Sequence, residues 1–322
     1  MRGAARQLGA IAGSVGSISA TLLLLLASRE ARQLLVRRAR VALPRPRQRV
    51  AGLRLAFLTD FHAGGPGTST DLARTALHLL DSWRPDLVLL GGDYFDQGNM
   101  VDTALFDELA RYEHVYGVLG NHDYRRGTAN AEAIARFLEA RHVRILRNES
   151  VTITVERQQG ATGTIELVGL DDPYSGFDRP KMLNRPLPPH PRLLLAHAPS
   201  VVERLPVGCA DLALFGHTHW GQVRLSPSQT IGFLDAAWYL DRWRRKPHAR
   251  LQRGWFWEKG MLVYVSAGIG LTQLPFRLFA SPEILCLELD PAAQNPQRAC
   301  DDPLRYVRSS TVRHTLQREE RR

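Results

Sequence analysis

Eight side chains in this sequence have the types and spacing to hold metal ions. Asp60 and His62 form an Asp-x-His pair, Asp93 follows Gly91-Gly92, and Asn121 and His122 follow Gly120. His197 ends the run Leu193-Leu194-Leu195-Ala196, and His217 and His219 form a His-x-His pair after Gly216. Carboxylate and amide oxygens mixed with imidazoles, without thiolates, suit Mn, Fe or Zn rather than Ca or a cluster. The set is too large for one catalytic ion with an open position. It implies a pair, and two ions clamp the attacking and leaving oxygens of an in-line displacement at phosphorus. His78, His114, His142, His190, His248 and His314 have no such setting and read as ordinary histidines.

Each candidate lies just past an apolar run: Leu53 to Thr59, Asp86 to Leu90, Val115 to Leu119, Leu193 to Ala196, and Leu212 to Phe215. Such runs read as buried strands, and open α/β sheets bind ligands at the carboxyl ends of their strands, so the ends can converge on one crevice. One Asp after a strand is an ordinary turn or cap. The same chemistry at five strand ends is not. Between these runs, Asp71 to Trp83, Thr103 to Tyr112 and Asn130 to Ala140 have helical spacing. Val143 to Leu146, a hairpin of Val151 to Val155 and Thr164 to Val168, Leu262 to Val265 and Ile284 to Leu289 read as further strands. The class is α/β.

With 322 residues and 44% hydrophobic content, the chain is large enough to bury a substantial core. Its net charge of +10 invites a nucleic-acid reading, but Lys181, Lys246 and Lys259 are the only lysines and no basic run joins a binding module, so no nucleic-acid partner is expected. Cys209, Cys286 and Cys300 lack metal-ligand spacing. Leu8 to Ala27 carries no charge and is long enough to span a bilayer; an uncleaved anchor is the reading, with a cleaved signal peptide competing. The arginines at 29, 32, 37, 38 and 40 place the following part in the cytoplasm by the positive-inside rule, giving an inner-membrane protein with a single N-terminal span. The expected division is a membrane anchor and basic linker over 1–50, a catalytic domain over 51–290, and a polar, loosely ordered tail over 291–322.

Asp60-x-His62, Gly92-Asp93-x-x-Asp96, Gly120-Asn121-His122-Asp123, His197 and Gly216-His217-x-His219, in that order, resemble the full signature of calcineurin-like metallophosphoesterases. The resemblance implies a four-layer α/β/β/α sandwich of two mixed sheets, here preceded by an N-terminal transmembrane helix. It also implies one ion held by Asp60, His62, Asp93 and His219, and a second by Asp93, Asn121, His197 and His217. Asp93 then bridges two divalent ions, with Mn favoured over Fe or Zn. A water shared by two cations supplies hydroxide near neutral pH. His122 is expected to protonate the leaving oxygen, and Asp123 to orient its imidazole.

The segment from about 224 to 260 departs from the generic pattern. Trp220, Trp238, Trp243, Trp255 and Trp257 lie in or beside it with Arg242, Arg244, Arg245 and Lys246, and Ile231 to Arg245 has amphipathic helical spacing. It reads either as a cap packed on its own domain or as a membrane-facing surface. Asp171-Asp172-Pro173 and Pro275-Phe276-Arg277 resemble stretches near the cleft of membrane-associated relatives. The leading substrate by resemblance is UDP-2,3-diacylglucosamine, a lipid A precursor. The wider expectation is a phosphorylated, lipid-linked or nucleotide-linked substrate at a lipid membrane. The alternatives are a broad phosphodiesterase of the cell envelope and a non-catalytic scaffold.

Overall fold

The computed structural model describes residues 21–43, 52–156, 162–224, 251–290 and 307–315. Two sheets form the frame. In the first, the strands are β1 (Gln33–Ala42), β2 (Leu53–Leu58), β3 (Leu87–Leu90), β4 (Val115–Gly117), β5 (Val143–Ile145), β12 (Glu283–Asp290) and β13 (Val307–Thr315), in the order β13-β1-β12-β2-β3-β4-β5. The second has β6 (Glu149–Glu156), β7 (Thr162–Gly169), β8 (Arg192–Leu195), β9 (Leu212–Phe215), β10 (Gly254–Glu258) and β11 (Met261–Val265), in the order β10-β11-β9-β8-β7-β6. Both are mixed. Strands β2 to β5 run parallel, as do β7, β8, β9 and β11, while β6, β10, β12 and β13 supply the antiparallel pairings.

The strand sequences explain the layering. Along β8, Leu193 and Leu195 join Leu55, Phe57 and Leu287 in a core between the sheets, and Leu194 faces outward with Val168, Ala213 and Val263. A strand buried on both faces must be apolar throughout, hence the uninterrupted leucines. The free face of the first sheet is covered by α2 (Thr70–Trp83) and α3 (Thr128–Glu139), through Leu72, Ala76, Leu80, Ile134 and Leu138. The Ser69 side chain accepts from Leu72 N at 3.2 Å and caps α2, which stops where Arg84 turns left-handed at φ 51°.

Three expectations are corrected here. Thr103–Arg111 is a 3-10 segment, and Asp102 before it gives its carboxylate to the Thr70 hydroxyl at 2.8 Å instead of capping its own turn. The outer face of the second sheet carries the short 3-10 turns Pro180–Leu183 and Pro199–Arg204 among the described residues, rather than a full helical layer. Gln33–Ala42, read as flank and linker, is instead strand β1, parallel to β12 (Val36↔Ile284), and Val307–Thr315 of the supposed tail pairs with it antiparallel (Val36↔Val312). Its arginines disguised a period-two pattern. Leu34 and Val36 enter one core and Ala39 and Val41 the other, while Arg37 reaches Glu283, Arg38 lies over Trp83 and Arg40 meets Glu288 at 2.8 Å.

Residues 21–30 are helical (α1), with Leu22 to Leu26 each 50–63% exposed. Among the described residues no helix is long and apolar enough to cross a membrane; residues 8–20 of the expected span lie outside them. The end of α1 is fastened to the loop before β12. Glu30 accepts from Phe279 N (2.8 Å), Ala280 N (2.9 Å) and the Ser281 hydroxyl (2.8 Å), and Arg277 N donates to Ala27 O (3.2 Å). The expected amphipathic helix at Ile231 to Arg245, and Trp238 and Trp243 with it, lie outside the described residues, as do the linker residues 44–50.

Candidate metal centre

The ends of five parallel strands meet. Strands β2, β3 and β4 of the first sheet deliver Asp60, His62, Asp93 and Asn121, and β8 and β9 of the second deliver His197, His217 and His219. Asp60, His62, Asp93, His217 and His219 have positive φ, between 44° and 70°. Such backbone is costly for side-chain-bearing residues, although Asp and His tolerate it better than most, and it clusters where function requires it. The turns that aim these side chains are thus held by their surroundings.

One donor set gathers Asp60 Oδ1, His62 Nε2, His219 Nε2 and Asp93 Oδ2. His62 Nε2 is 3.0 Å from His219 Nε2, 3.4 Å from Asp93 Oδ2 and 3.9 Å from Asp60 Oδ1, and His219 Nε2 is 3.5 Å from Asp60 Oδ1. In the second set, His197 Nε2 is 3.2 Å from Asp93 Oδ2 and 3.1 Å from Asn121 Oδ1, which lies 2.8 Å from His217 Nδ1. Donors bound to one ion at about 2.0–2.1 Å stand roughly 3.0–3.5 Å apart, so both sets fit a divalent ion. Asp93 Oδ2 belongs to both.

The partners behind the donors fix their orientation. His197 Nδ1 lies 2.8 Å from Gly91 O, so its N–H donates there and Nε2 is the atom a divalent ion would take, displacing a proton. His217 N donates to both Asp60 carboxylate oxygens (3.0 and 3.1 Å), and Thr59 Oγ1 donates to Oδ2 (2.9 Å). His219 is held differently. Its Nδ1 faces Arg277 Nη2 at 3.1 Å, and that fully buried guanidinium also donates to Ala267 O and Ala280 O, both at 2.9 Å. Burial, then His62 and Arg277, hold His219 well below the usual imidazole range. Burial opposes both charges of the Asp93–His197 pair, yet His197 and His122 keep Asp93 well below its ordinary value, and Asp93 raises His197 to about 10.

His122 stands beside both sets without joining either. Its ring lies edge-on to His62, with centroids 4.5 Å apart, and its Nδ1 is 3.0 Å from Asp96 Oδ1. The expected Asp123 partnership is corrected by this contact. Asp123 is fully buried and accepts from Asp93 N (3.0 Å), Gly120 N (2.9 Å) and Tyr94 N (3.1 Å), so it locks two ligand-bearing turns together and does not reach the imidazole. Asp96 orients His122, and its Oδ1 also faces His62 Nδ1 at 3.3 Å. The Gly92-Asp93-x-x-Asp96 spacing was the signal; what it lacked was a distance.

Between the two turns sits Gly120. A Cβ there would come 2.7 Å from Asp93 N and 2.8 Å from His197 Nδ1. Gly120→Ala is therefore expected to lower metal content measured by plasma mass spectrometry by more than half, while far-ultraviolet circular dichroism stays native. At the rim, Tyr174 is half-buried with its ring 4.8 Å from that of His217; Asp172 accepts from Tyr174 N (3.1 Å) and Ser175 N (2.8 Å) to shape that turn. Asp171 lies farther back, bonded to Tyr124 Oη (2.7 Å) and Arg147 Nε (3.0 Å).

The model of the calcineurin-like phosphoesterase family matches residues 53–221, from the start of β2 to just past His219 and just over half of the chain. The chain belongs to that family. Among its relatives, phosphodiesterase YaeI of Escherichia coli is 32% identical over 54% of this chain and 63% of its own length. An uncharacterized metallophosphoesterase of Helicobacter pylori is 29% identical over 75% of this chain and 61% of its own. A transmembrane protein with metallophosphoesterase domain of Danio rerio is 28% identical over 75% of this chain and 54% of its own. The chain thus spans between 54% and 63% of the length of these relatives.

Proposed function

We propose that this phosphoesterase-family chain hydrolyses a phosphodiester or pyrophosphate bond at a pair of divalent metal ions. The observation that supports this best is the sharing of Asp93 Oδ2 by two complete donor sets, one centred on His62 and His219 and the other on His197 and Asn121. When bound, the ions would neutralise phosphate oxygens and make a water acidic enough to attack phosphorus. The residues of the chain do the rest. Asn121 and the four histidines face the reacting group from two sheets, and burial of Asp60 and Asp93 keeps bulk water from screening their charge. Burial disfavours a charged His122, but Asp93 and Asp96 outweigh it and raise its pKa, so the ring is a proton donor suited to a leaving oxygen.

That pairing has a pH signature. A group whose pKa is raised keeps its proton to higher pH, so turnover that needs His122 protonated falls as pH climbs through that raised value. Asp96→Asn removes one raising charge. The basic limb of the kcat profile is expected to move to lower pH by about one unit, with metal content retained.

For the substrate, we propose a lipid-linked or nucleotide-linked phosphoester at a membrane surface, with UDP-2,3-diacylglucosamine the leading candidate and the catalytic domain on the cytoplasmic side. Supporting this are the five leucines exposed along α1 and the transmembrane relative from Danio rerio. The name of the Escherichia coli relative favours a second reading, a broad-specificity phosphodiesterase. The deciding experiment loads the purified full chain with Mn and compares rates on UDP-2,3-diacylglucosamine and on bis(p-nitrophenyl) phosphate. Hydrolysis of the diester alone selects the broad reading. Hydrolysis of neither, at full metal occupancy, rejects both.

A further inference from the structure

Glu30 and Arg277 both lie outside residues 53–221, the stretch that the family model matches, yet both stand behind the metal centre. Arg277 is fully buried. Its Nη2 lies 3.1 Å from His219 Nδ1 and donates to Ala267 O (2.9 Å) and to Gly270 O, while its Nη1 donates to Ala280 O at 2.9 Å. The turn of residues 267–270 gathered in this way backs Asp60. Ile269 N donates to Thr59 O at 3.1 Å and Gly270 N to Asp60 O at 2.6 Å, and a Cβ on Gly268 would come 2.5 Å from Asp60 Cβ. One guanidinium thus braces His219 and Asp60, which belong to the same donor set. The other set is supported elsewhere: His197 Nδ1 rests on Gly91 O at 2.8 Å, and Asn121 sits in the turn that Asp123 locks through Gly120 N at 2.9 Å.

What holds Arg277 comes from the N-terminal side of the chain. Arg277 N donates to Ala27 O at 3.2 Å, and the half-buried Glu30 takes the residues that follow, Phe279 N, Ala280 N and the Ser281 hydroxyl, at 2.8–2.9 Å. Ala280 is therefore held from both sides, its N–H by Glu30 and its carbonyl by Arg277. Burial lowers Arg277 to about 10 against the raising charges of Asp60, Glu283 and Glu30, so it stays protonated at neutral pH. A guanidinium that is charged and buried keeps its place only while its acceptors keep theirs.

We propose that Glu30 is a positioning residue of the metal centre: by fixing residues 279–281 it holds Arg277, and through Arg277 it sets His219 and Asp60 for one of the two ions. The role rests on the two-ion reading and goes beyond it. It makes residues 27–30, beside the exposed leucines of α1, part of the support for one donor set and not the other.

The test reads metal affinity, so its failure is separable from a failure of hydrolysis. The full chain is stripped with EDTA, dialysed and titrated with Mn by calorimetry in two parent variants. His217→Ala retains the set of Asp60, His62, Asp93 and His219; His62→Ala retains the set of Asp93, Asn121, His197 and His217. In the first parent, Glu30→Ala is expected to weaken binding about tenfold and Arg277→Lys by about 10–100-fold, the loss typical of a partner behind a ligand. In the second, each is expected to leave affinity within about twofold. Glu30→Ala added to Arg277→Lys is expected to cause no further loss, because the one acts through the other. Should Glu30→Ala lack a native circular dichroism spectrum, Ser281→Ala, which removes one of the three bonds, carries the same comparison at about threefold. Equal losses in both parents mark general destabilisation and overturn the role, as do unchanged or tighter binding in the first parent and additive losses in the double variant. No Mn bound by either parent rejects the two-ion reading, and the role with it.

Discussion

Asp93→Asn is expected to abolish hydrolysis of bis(p-nitrophenyl) phosphate, by ~10³-fold or more, and to cut bound metal from two equivalents to one or none. Asn preserves the shape of the side chain and the acceptor for His122 N at 2.8 Å, so the Asn121-His122 turn should keep its course. What disappears is the negative charge that faces His62 Nε2 at 3.4 Å and His197 Nε2 at 3.2 Å from one oxygen. A neutral amide cannot offset two dications, and neither donor set is complete without that oxygen. Plasma mass spectrometry on protein desalted from excess Mn gives the stoichiometry. Two equivalents of metal with native turnover in this variant would remove the shared-ligand reading.

His122→Ala is expected to separate chemistry from metal binding. Positioned proton donors contribute about 10²–10⁴-fold, and a drop in kcat of that size is expected with metal content within error of wild type. His122→Ala removes the edge-on ring contact with His62 but leaves in place the hydrogen bond from the His122 backbone N–H to Asp93 Oδ1. Asp96 loses one imidazole partner and keeps His62 Nδ1 at 3.3 Å, so the cage should not collapse. The loss should shrink on esters whose leaving group needs no proton, such as a p-nitrophenolate. Equal losses on activated and unactivated esters would instead make His122 a positioning residue for the phosphate.

Why the cage was legible and its supports were not follows from where each kind of information sits. Asp60, His62, Asp93, Asn121, His197, His217 and His219 each follow an apolar run, and a parallel strand buried on both faces leaves no other place for polar chemistry than its end. Local sequence therefore revealed them. Asp123 misled because adjacency to His122 suggested contact, whereas the turn points its carboxylate back at three backbone amides. Contact between Asp96 and His122 spans two strand ends and needs coordinates. Strand β1 was hidden because Arg37, Arg38 and Arg40 find partners in Glu283, Trp83 and Glu288, each remote in sequence. The buried Arg277 clamp on His219 has the same character: Pro275-Phe276-Arg277 could be noticed, but not what it holds.

The bonds of Glu30 to residues 279–281 change what the leucine helix can do. A flexible leash would let the reaction centre wander through a shell of distances. A helix end pinned by a carboxylate to the loop of Arg277, itself touching His219, acts as a spacer of set length. If, as proposed, a membrane surface takes up Leu22 to Leu26, that surface would be held at one height from the histidines, and scissile bonds lying deeper or shallower than that height would be out of register.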